Sequence, residues 1–350
     1  MISSNNYKIL YLAFFLANKT EEINNSKKVI LMMFYYFKII IFLNLFLFSF
    51  KAFSQNDFKE FLSDISKEAE KKGIATKLIK DFKNKTVFIP RVIELDRSQP
   101  EFKLTLDQYL NKVVTPTRIK KARIKYNENK EILNKIGNFY GVQPRFIVAL
   151  WGIETDFGRL TGGFSVISAL STLAFEGRRH EYFKKELLNA LTIINNGHIT
   201  MNKMTGSWAG AMGQCQFMPS SFLNYASDWN KDGNKDIWNS KSDVFASAAN
   251  YLKRVGWSNK ITWGRKVYLG NYNNNVKKNK YILLKNWSSF GVLNENKERL
   301  PQVNIKARVV IPDNYGKYGY LVYKNFDALL NWNRSNYFAI AVGKLSNTIY

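Results

Sequence analysis

The sequence predicts a helix-dominated α+β fold, on three observations. Between about residues 57 and 257, apolar residues recur at three- and four-residue spacing in segments of helical length. After Trp257 the pattern shortens to alternating runs bounded by Asn and Gly, and helical spacing returns at 326–332 and 337–346. Nowhere do strands and helices alternate in the βαβ rhythm of a doubly wound sheet, and no internal repeat or low-complexity linker interrupts the chain.

Taken in order, residues 29–50 are almost wholly apolar (VILMMFYYFKIIIFLNLFLFSF), with Lys27 and Lys28 before them and Ala52-Phe53-Ser54 after, a small-x-small pattern ahead of Gln55. This is the layout of a secretory signal, so residues 1–54 are expected to be an N-terminal extension and signal peptide. The alternative is a retained anchor, through which alone the chain would touch a membrane. The first exported helix spans 57–83, with Phe58, Phe61, Leu62 and Ile65 on one face and Gly73 as a stop before a second short helical turn. A less regular, extended stretch follows. Thr115-Pro116 then opens a long charged helix to about Tyr140, ended by Gly141, and Pro144 opens the most apolar helix of the exported chain, 145–155. Helices follow at 165–175, 179–196, 219–227 and 243–255; strands are expected at 266–269, 308–311 and 320–323.

Composition narrows the function classes. The chain has 350 residues, 46% hydrophobic and 15% aromatic, enough to bury a sizeable core, so disorder is not the expectation. Its formal charge of +25 favours a polyanionic partner such as nucleic acid, anionic lipid or an anionic wall polymer. Six Lys and two Glu lie within residues 1–54, so the remainder still carries +21. Lys and Asn are spread evenly, however, and a composition bias accounts for the charge equally well. Export and the lack of any nucleic-acid-binding motif argue against nucleic acid. Cys215 is the single cysteine and His180 and His198 the only histidines, which excludes an internal disulfide and makes Cys- or His-based metal centres improbable.

One carboxylate stands out. Ile147, Leu150 and Trp151 precede Glu154 by seven, four and three residues, so the acid shares the apolar face of its helix. Partial burial disfavours the ionised form, which suits a general acid that must arrive protonated. An ion pair with an arginine such as Arg159 is the competing reading.

The segments ALWGIETDFGRLTGGFSVISALSTLAFEGRR and GSWAGAMGQCQFMPSSFLNYASDWNKDGNKDIWN closely resemble the membrane-bound lytic murein transglycosylase B family, over about residue 60 to the C-terminus. The resemblance implies a lysozyme-like core at about 140–257, a small β-containing part at about 258–325, and C-terminal helices returning to the core, together making up a catalytic region of 55–350. It implies that Glu154 is the acid/base, that Ser207 hydrogen-bonds this acid, and that Gln216 binds substrate near the cleaved bond. It also implies, through NWNRSNYFAIAVGKL, that Asn333 reaches the site with Trp332 beside it. The implied reaction breaks the MurNAc–GlcNAc β-1,4 bond of peptidoglycan and leaves 1,6-anhydromuramoyl ends, with one carboxylate and the substrate's own N-acetyl group. That is a known exception to the two-carboxylate rule. Asp156, two residues on, points elsewhere and is not expected to be a nucleophile. Hydrolysis by a muramidase and non-catalytic wall binding remain the alternatives.

Finally, Asp228, Asn230, Asp232 and Asn234, with Gly233 at the turn, fit the start of an EF-hand loop. Position twelve is Asn239 rather than Glu, so Asp243 is the candidate extra acid for a structural Ca²⁺; an Asx-rich turn without an ion is the other reading. The expectation is therefore a monomer acting on glycan strands in the periplasm of a Gram-negative bacterium.

Overall fold

A computed structural model describes residues 55–98, 104–270, 280–313 and 316–349, with Tyr35, Phe37 and Tyr272 besides. The expected signal segment therefore lies almost wholly outside the described residues. Among them, no helix is long and apolar enough to cross a membrane. Two compact units are separable, Met1–Asp57 and Phe58–Tyr350, and the functional residues all lie in the second.

The first helices are α1 (Gln55–Lys71), α2 (Thr76–Lys85), α3 (Pro90–Arg97) and α4 (Leu106–Val113). The stretch expected to be extended is thus helical twice. In α3 a proline fills the first turn, where a missing N–H costs nothing, and in α4 Thr105 and Gln108 form a reciprocal capping box. The single long helix expected up to Tyr140 is two, α5 (Pro116–Glu128) and α6 (Lys130–Tyr140). The break falls at Asn129, whose side-chain amide donates to the Lys125 carbonyl at 2.8 Å and competes with the backbone ladder. Gly141 ends α6 in the left-handed conformation, as its position suggested.

The next helix, α7 (Pro144–Thr155), lies at the centre of the fold. Every residue from Phe146 to Gly152 is buried, because α5, α6, α11 (Lys241–Arg254) and α13 (Asn336–Ser346) all pack on it. A helix apolar all round is the kind that can be enclosed in this way. Each large side chain so buried stabilises by roughly 1.5–3 kcal/mol. The α7 helix stops at a run of three left-handed residues, Asp156, Phe157 and Gly158, at φ 49°, 62° and 84°. That unusual exit is held from both sides. Lys121 and Arg159 bind the Asp156 carboxylate at 2.9 and 2.7 Å, and Phe157 packs edge-on against Trp151.

Beyond these helices, α8 (Val166–Glu176) packs on α9 (His180–Asn195) and α3, α10 (Pro219–Tyr225) on α9 and α11, and α12 (Lys324–Trp332) on α13, with a two-residue β1–β2 pairing between 164–165 and 205–206. The remaining strands, β3 (Gly264–Tyr268), β4 (Ile282–Leu283), β5 (Leu293–Asn294), β6 (Lys306–Val310) and β7 (Tyr318–Val322), form one antiparallel sheet in the order β4-β6-β7-β3-β5. Its own small core gathers about Val267, Leu284, Trp287 and Leu321. The three strands read from sequence are all present, each beginning two residues earlier than expected. The α+β, mainly helical class is the observed one.

Candidate active site

Glu154 sits in the last turn of α7, partly buried, and faces an open recess of about 190 Å³. Tyr109 and Val113 of α4, Ile153, Asn333, Ser335, Tyr337 and Phe338 line the rest of it. Glu154 also lines a second, smaller space of about 10 Å³, bounded by Leu150, Trp151, Gln214, Cys215, Phe245 and Trp332, just large enough for one water. Among the residues lining either space Glu154 is the one acid.

Burial is the dominant influence on this carboxyl and raises it from 4.5 to about 7. A single hydrogen bond opposes the rise. The indole Nε1–H of Trp332 donates to Glu154 Oε1 at 2.7 Å and favours the charged form. Among the described residues no cation pairs with Glu154. Arg159, its expected rival partner, binds Asp156 instead. With Lys121 and Arg159 bound to it, the Asp156 carboxyl is held below its ordinary range, despite the opposing effect of burial. It is thereby committed to an ion-pair cluster outside the recess.

The aromatic surroundings explain how Trp332 is aimed. Its ring packs on Tyr251 at 4.8 Å and Phe217 at 5.2 Å, and Tyr251 is fixed in turn by donating to the Asn331 carbonyl at 2.7 Å. The resemblance implied only that Trp332 stands beside Asn333. Its indole N–H makes it, in addition, the direct partner of the acid. Trp151 is buried core, as expected, and donates its indole N–H to Gln214 Oε1 at 2.8 Å. Asn333 lines the recess, its Oδ1 accepting from the Ser335 backbone at 3.0 Å.

Ser207 and Gln216 line neither space. Ser207 makes no hydrogen bond to Glu154; its hydroxyl oxygen accepts from Ala211 N within its own loop at 3.1 Å. The hydrogen bond that Glu154 does receive comes from Trp332. Gln216, at φ 50°, occupies its amide N–H groups on the carbonyls of Thr161 and Gly213 at 3.1 and 2.9 Å, which leaves its amide oxygen for a ligand. Cys215 is a buried packing residue whose thiol is driven up by burial and by the nearby Glu154, so it is an inert thiol.

The Asp-rich loop folds as successive Asx turns. Asp228 accepts from Gly233 N at 2.9 Å, and Asp232 from Asn234 N at 2.8 Å and from the Asn230 amide at 2.8 Å. Asp243, fully buried, lies behind the loop and accepts from Trp229 N and Asp236 N at 2.9 and 3.0 Å. Burial raises the Asp243 carboxyl, and the charge of Asp228 raises it further. Among the described residues no three acidic, His or Cys side chains converge as a ready metal-ligand set. The Asp228 and Asp243 charges repel each other, and carboxylate and amide oxygens are nonetheless the ligand type that suits a hard divalent cation.

Residues 57–347 match the transglycosylase SLT domain family. The chain belongs to this family. Among its relatives is membrane-bound lytic murein transglycosylase B of Escherichia coli, 39% identical over 151 residues, a segment covering 43% of this chain and 42% of that protein. Solved transglycosylases share the fold. SltB3 of Pseudomonas aeruginosa, crystallised with NAG-anhNAM-pentapeptide, superposes with a TM-score of 0.80 at 35% identity, covering 83% of this chain and 79% of that one. Slt35 of Escherichia coli, solved in complex with calcium, gives 0.69 at 27% identity over 84% and 92%.

Within this transglycosylase frame, the residues that sequence reasoning missed are Tyr109 and Tyr337, which stand 5.6 Å apart in the recess wall, and Gln214 behind the acid. Tyr337 lies inside the quoted C-terminal motif. Tyr109 carried no signal, because its helix was itself read as extended.

Proposed function

We propose that the chain is a lytic transglycosylase of the cell envelope that cuts the MurNAc–GlcNAc β-1,4 bonds of peptidoglycan and leaves 1,6-anhydromuramoyl ends. The observation that carries this reading is a carboxyl held near neutrality in a recess that, among the described residues, no second acid lines; Asp313 accepts from the hydroxyl of the lining Tyr337. Two-carboxylate glycosidases need a partner about 5–10 Å away, and neither space around Glu154 is lined by one. In the first half of the reaction Glu154 gives its proton to the glycosidic oxygen as the bond from the muramoyl C1 breaks, and the neighbouring N-acetyl carbonyl oxygen supports the cationic C1. In the second, the Glu154 carboxylate takes the proton of the C6 hydroxyl while that oxygen closes on C1. The acid is thus restored, and no water is consumed. Trp332 steadies the charged form that exists between the two proton transfers.

Mass spectrometry of digested sacculi tests this directly. Anhydro ends from the wild type, absent with Glu154→Gln, are the expected result. Reducing ends would make the protein a muramidase instead, and no cleavage with tight sacculus binding would make it a wall-binding module.

The setting follows from the same reading: an exported, periplasmic monomer, attached to the membrane only if residues 1–54 are retained, with a basic surface suited to the carboxylates of wall peptides. A structural Ca²⁺ belongs to the proposal as well. Asp228, Asn230, Asp232, Asn234 and Asp243 would hold it, and the ion would supply the positive charge that the Asp228–Asp243 pair lacks. A chelator is then expected to lower the melting temperature and added Ca²⁺ to restore it, whereas superimposable melting curves would leave the loop as an Asx turn alone.

A further inference from the structure

A lyase that uses one carboxyl twice needs that carboxyl aimed. Along its axis the last turn of α7 is closed by Asp156 N donating to the Gly152 carbonyl at 3.1 Å and Phe157 N to the Trp151 carbonyl at 3.2 Å, and the left-handed run then ends the helix. Its lateral contacts converge on Gln214. Its Oε1 accepts the Trp151 indole N–H at 2.8 Å, and its backbone carbonyl accepts the Thr155 hydroxyl at 3.1 Å. Trp151 and Thr155 bracket Glu154, one just under a turn before and one directly after. On the other side, Gln214 Nε2 donates to the Trp238 carbonyl at 2.8 Å and its backbone N–H to the Ile237 carbonyl at 2.8 Å. The side chain also fills the space beside Gly158, where a Cβ would stand 2.3 Å from Gln214 Oε1. Gln214 is buried, with 9% of its surface exposed, and it borders the smaller space beside the acid without lining the larger recess.

We propose that Gln214 is the positioning residue of the reaction, clamping the last turn of α7 to the Ile237–Trp238 backbone so that Glu154 meets both the glycosidic oxygen and the C6 hydroxyl. It touches no substrate. This inference rests on the lyase reading above. An amide is suited to the task because it accepts on one side and donates on the other without adding charge beside a carboxyl that must stay protonated. A displacement of about 1 Å at the acid is enough to cost up to about a hundredfold in rate.

The test uses the full chain, wild type beside Gln214→Ala, Trp151→Phe and the double variant, with anhydro ends counted on soluble glycan strands. Trp151→Phe removes the indole N–H and retains a ring against Phe157 and Phe245. Each single variant is expected to lose about tenfold or more in kcat per folded molecule with KM within about twofold, and the double variant to lose no more than the worse single one. Normal kcat in the folded variants, a loss confined to KM, or losses that simply multiply would overturn the assignment. Should Gln214→Ala not accumulate as folded protein, Trp151→Phe alone reads the split between kcat and KM. A wild type that yields no anhydro ends would sink the lyase reading instead, so the two failures are distinct.

Discussion

At Glu154 two influences oppose each other and their balance sets the chemistry. Burial lifts the carboxyl and the Trp332 indole N–H pulls it down; burial wins, leaving it at about 7. Because the first step needs the protonated form, kcat/KM is expected to fall as pH rises through about 7. Replacing Trp332 with Phe removes the influence that favours the charged form while keeping a ring against Tyr251 and Phe217. The alkaline limb of the profile should therefore move to higher pH, and a limb displaced downward would show that Trp332 acts by shielding rather than by its N–H. How much of this was legible in the sequence differs residue by residue. Glu154 was, because three apolar residues on its own helix share its face. Its Trp332 partner was not readable as a bond, since the two are 178 positions apart and meet only when α12 returns to α7. Ser207 was named for a bond to Glu154 that the structure does not contain, its hydroxyl oxygen accepting from Ala211 N instead.

At the scale of elements, the exit from α7 carries the strictest demands. Gly158 combines φ 84° with a missing Cβ whose place is taken by Gln214, and that side chain is tied at both ends, so it has no room to yield. Gly158→Ala is expected to cost about 2–3 kcal/mol of stability, from left-handed strain together with a broken buried hydrogen bond. Gly73 provides the comparison. It is left-handed at φ 77° with nothing within 4 Å of its Cβ position, so Gly73→Ala should cost only about 1–2 kcal/mol. Denaturant melts of the two variants check the difference, and equal losses would mean that Gln214 is less firmly held than its bonds indicate. Element ends of this kind were partly visible beforehand. Pro116, Gly141 and Pro144 mark boundaries through backbone chemistry that acts locally. The α3 and α4 helices were missed because each is only eight residues long, too short for periodicity to declare itself, and packing rather than pattern decides them.

For the whole molecule, the acid is a cost to folding as well as the source of activity. The native chain holds the Glu154 proton up to about pH 7, whereas an unfolded chain releases it near 4.5. Between those values the native state binds more protons than the unfolded state, so unfolding free energy must fall as pH rises across that window and stay low above it. Glutamine carries no such proton, so Glu154→Gln escapes the loss. The variant and the wild type should therefore melt alike near pH 4, diverge through pH 5–7 in the variant's favour, and differ by a constant amount beyond. A shift of this size corresponds to at most about 3 kcal/mol, less for a carboxyl that solvent still reaches from the recess. Melting curves recorded from pH 4 to 8 measure it, and a gap that stays constant across the whole range would mean that Glu154 titrates alike in the folded and unfolded chain.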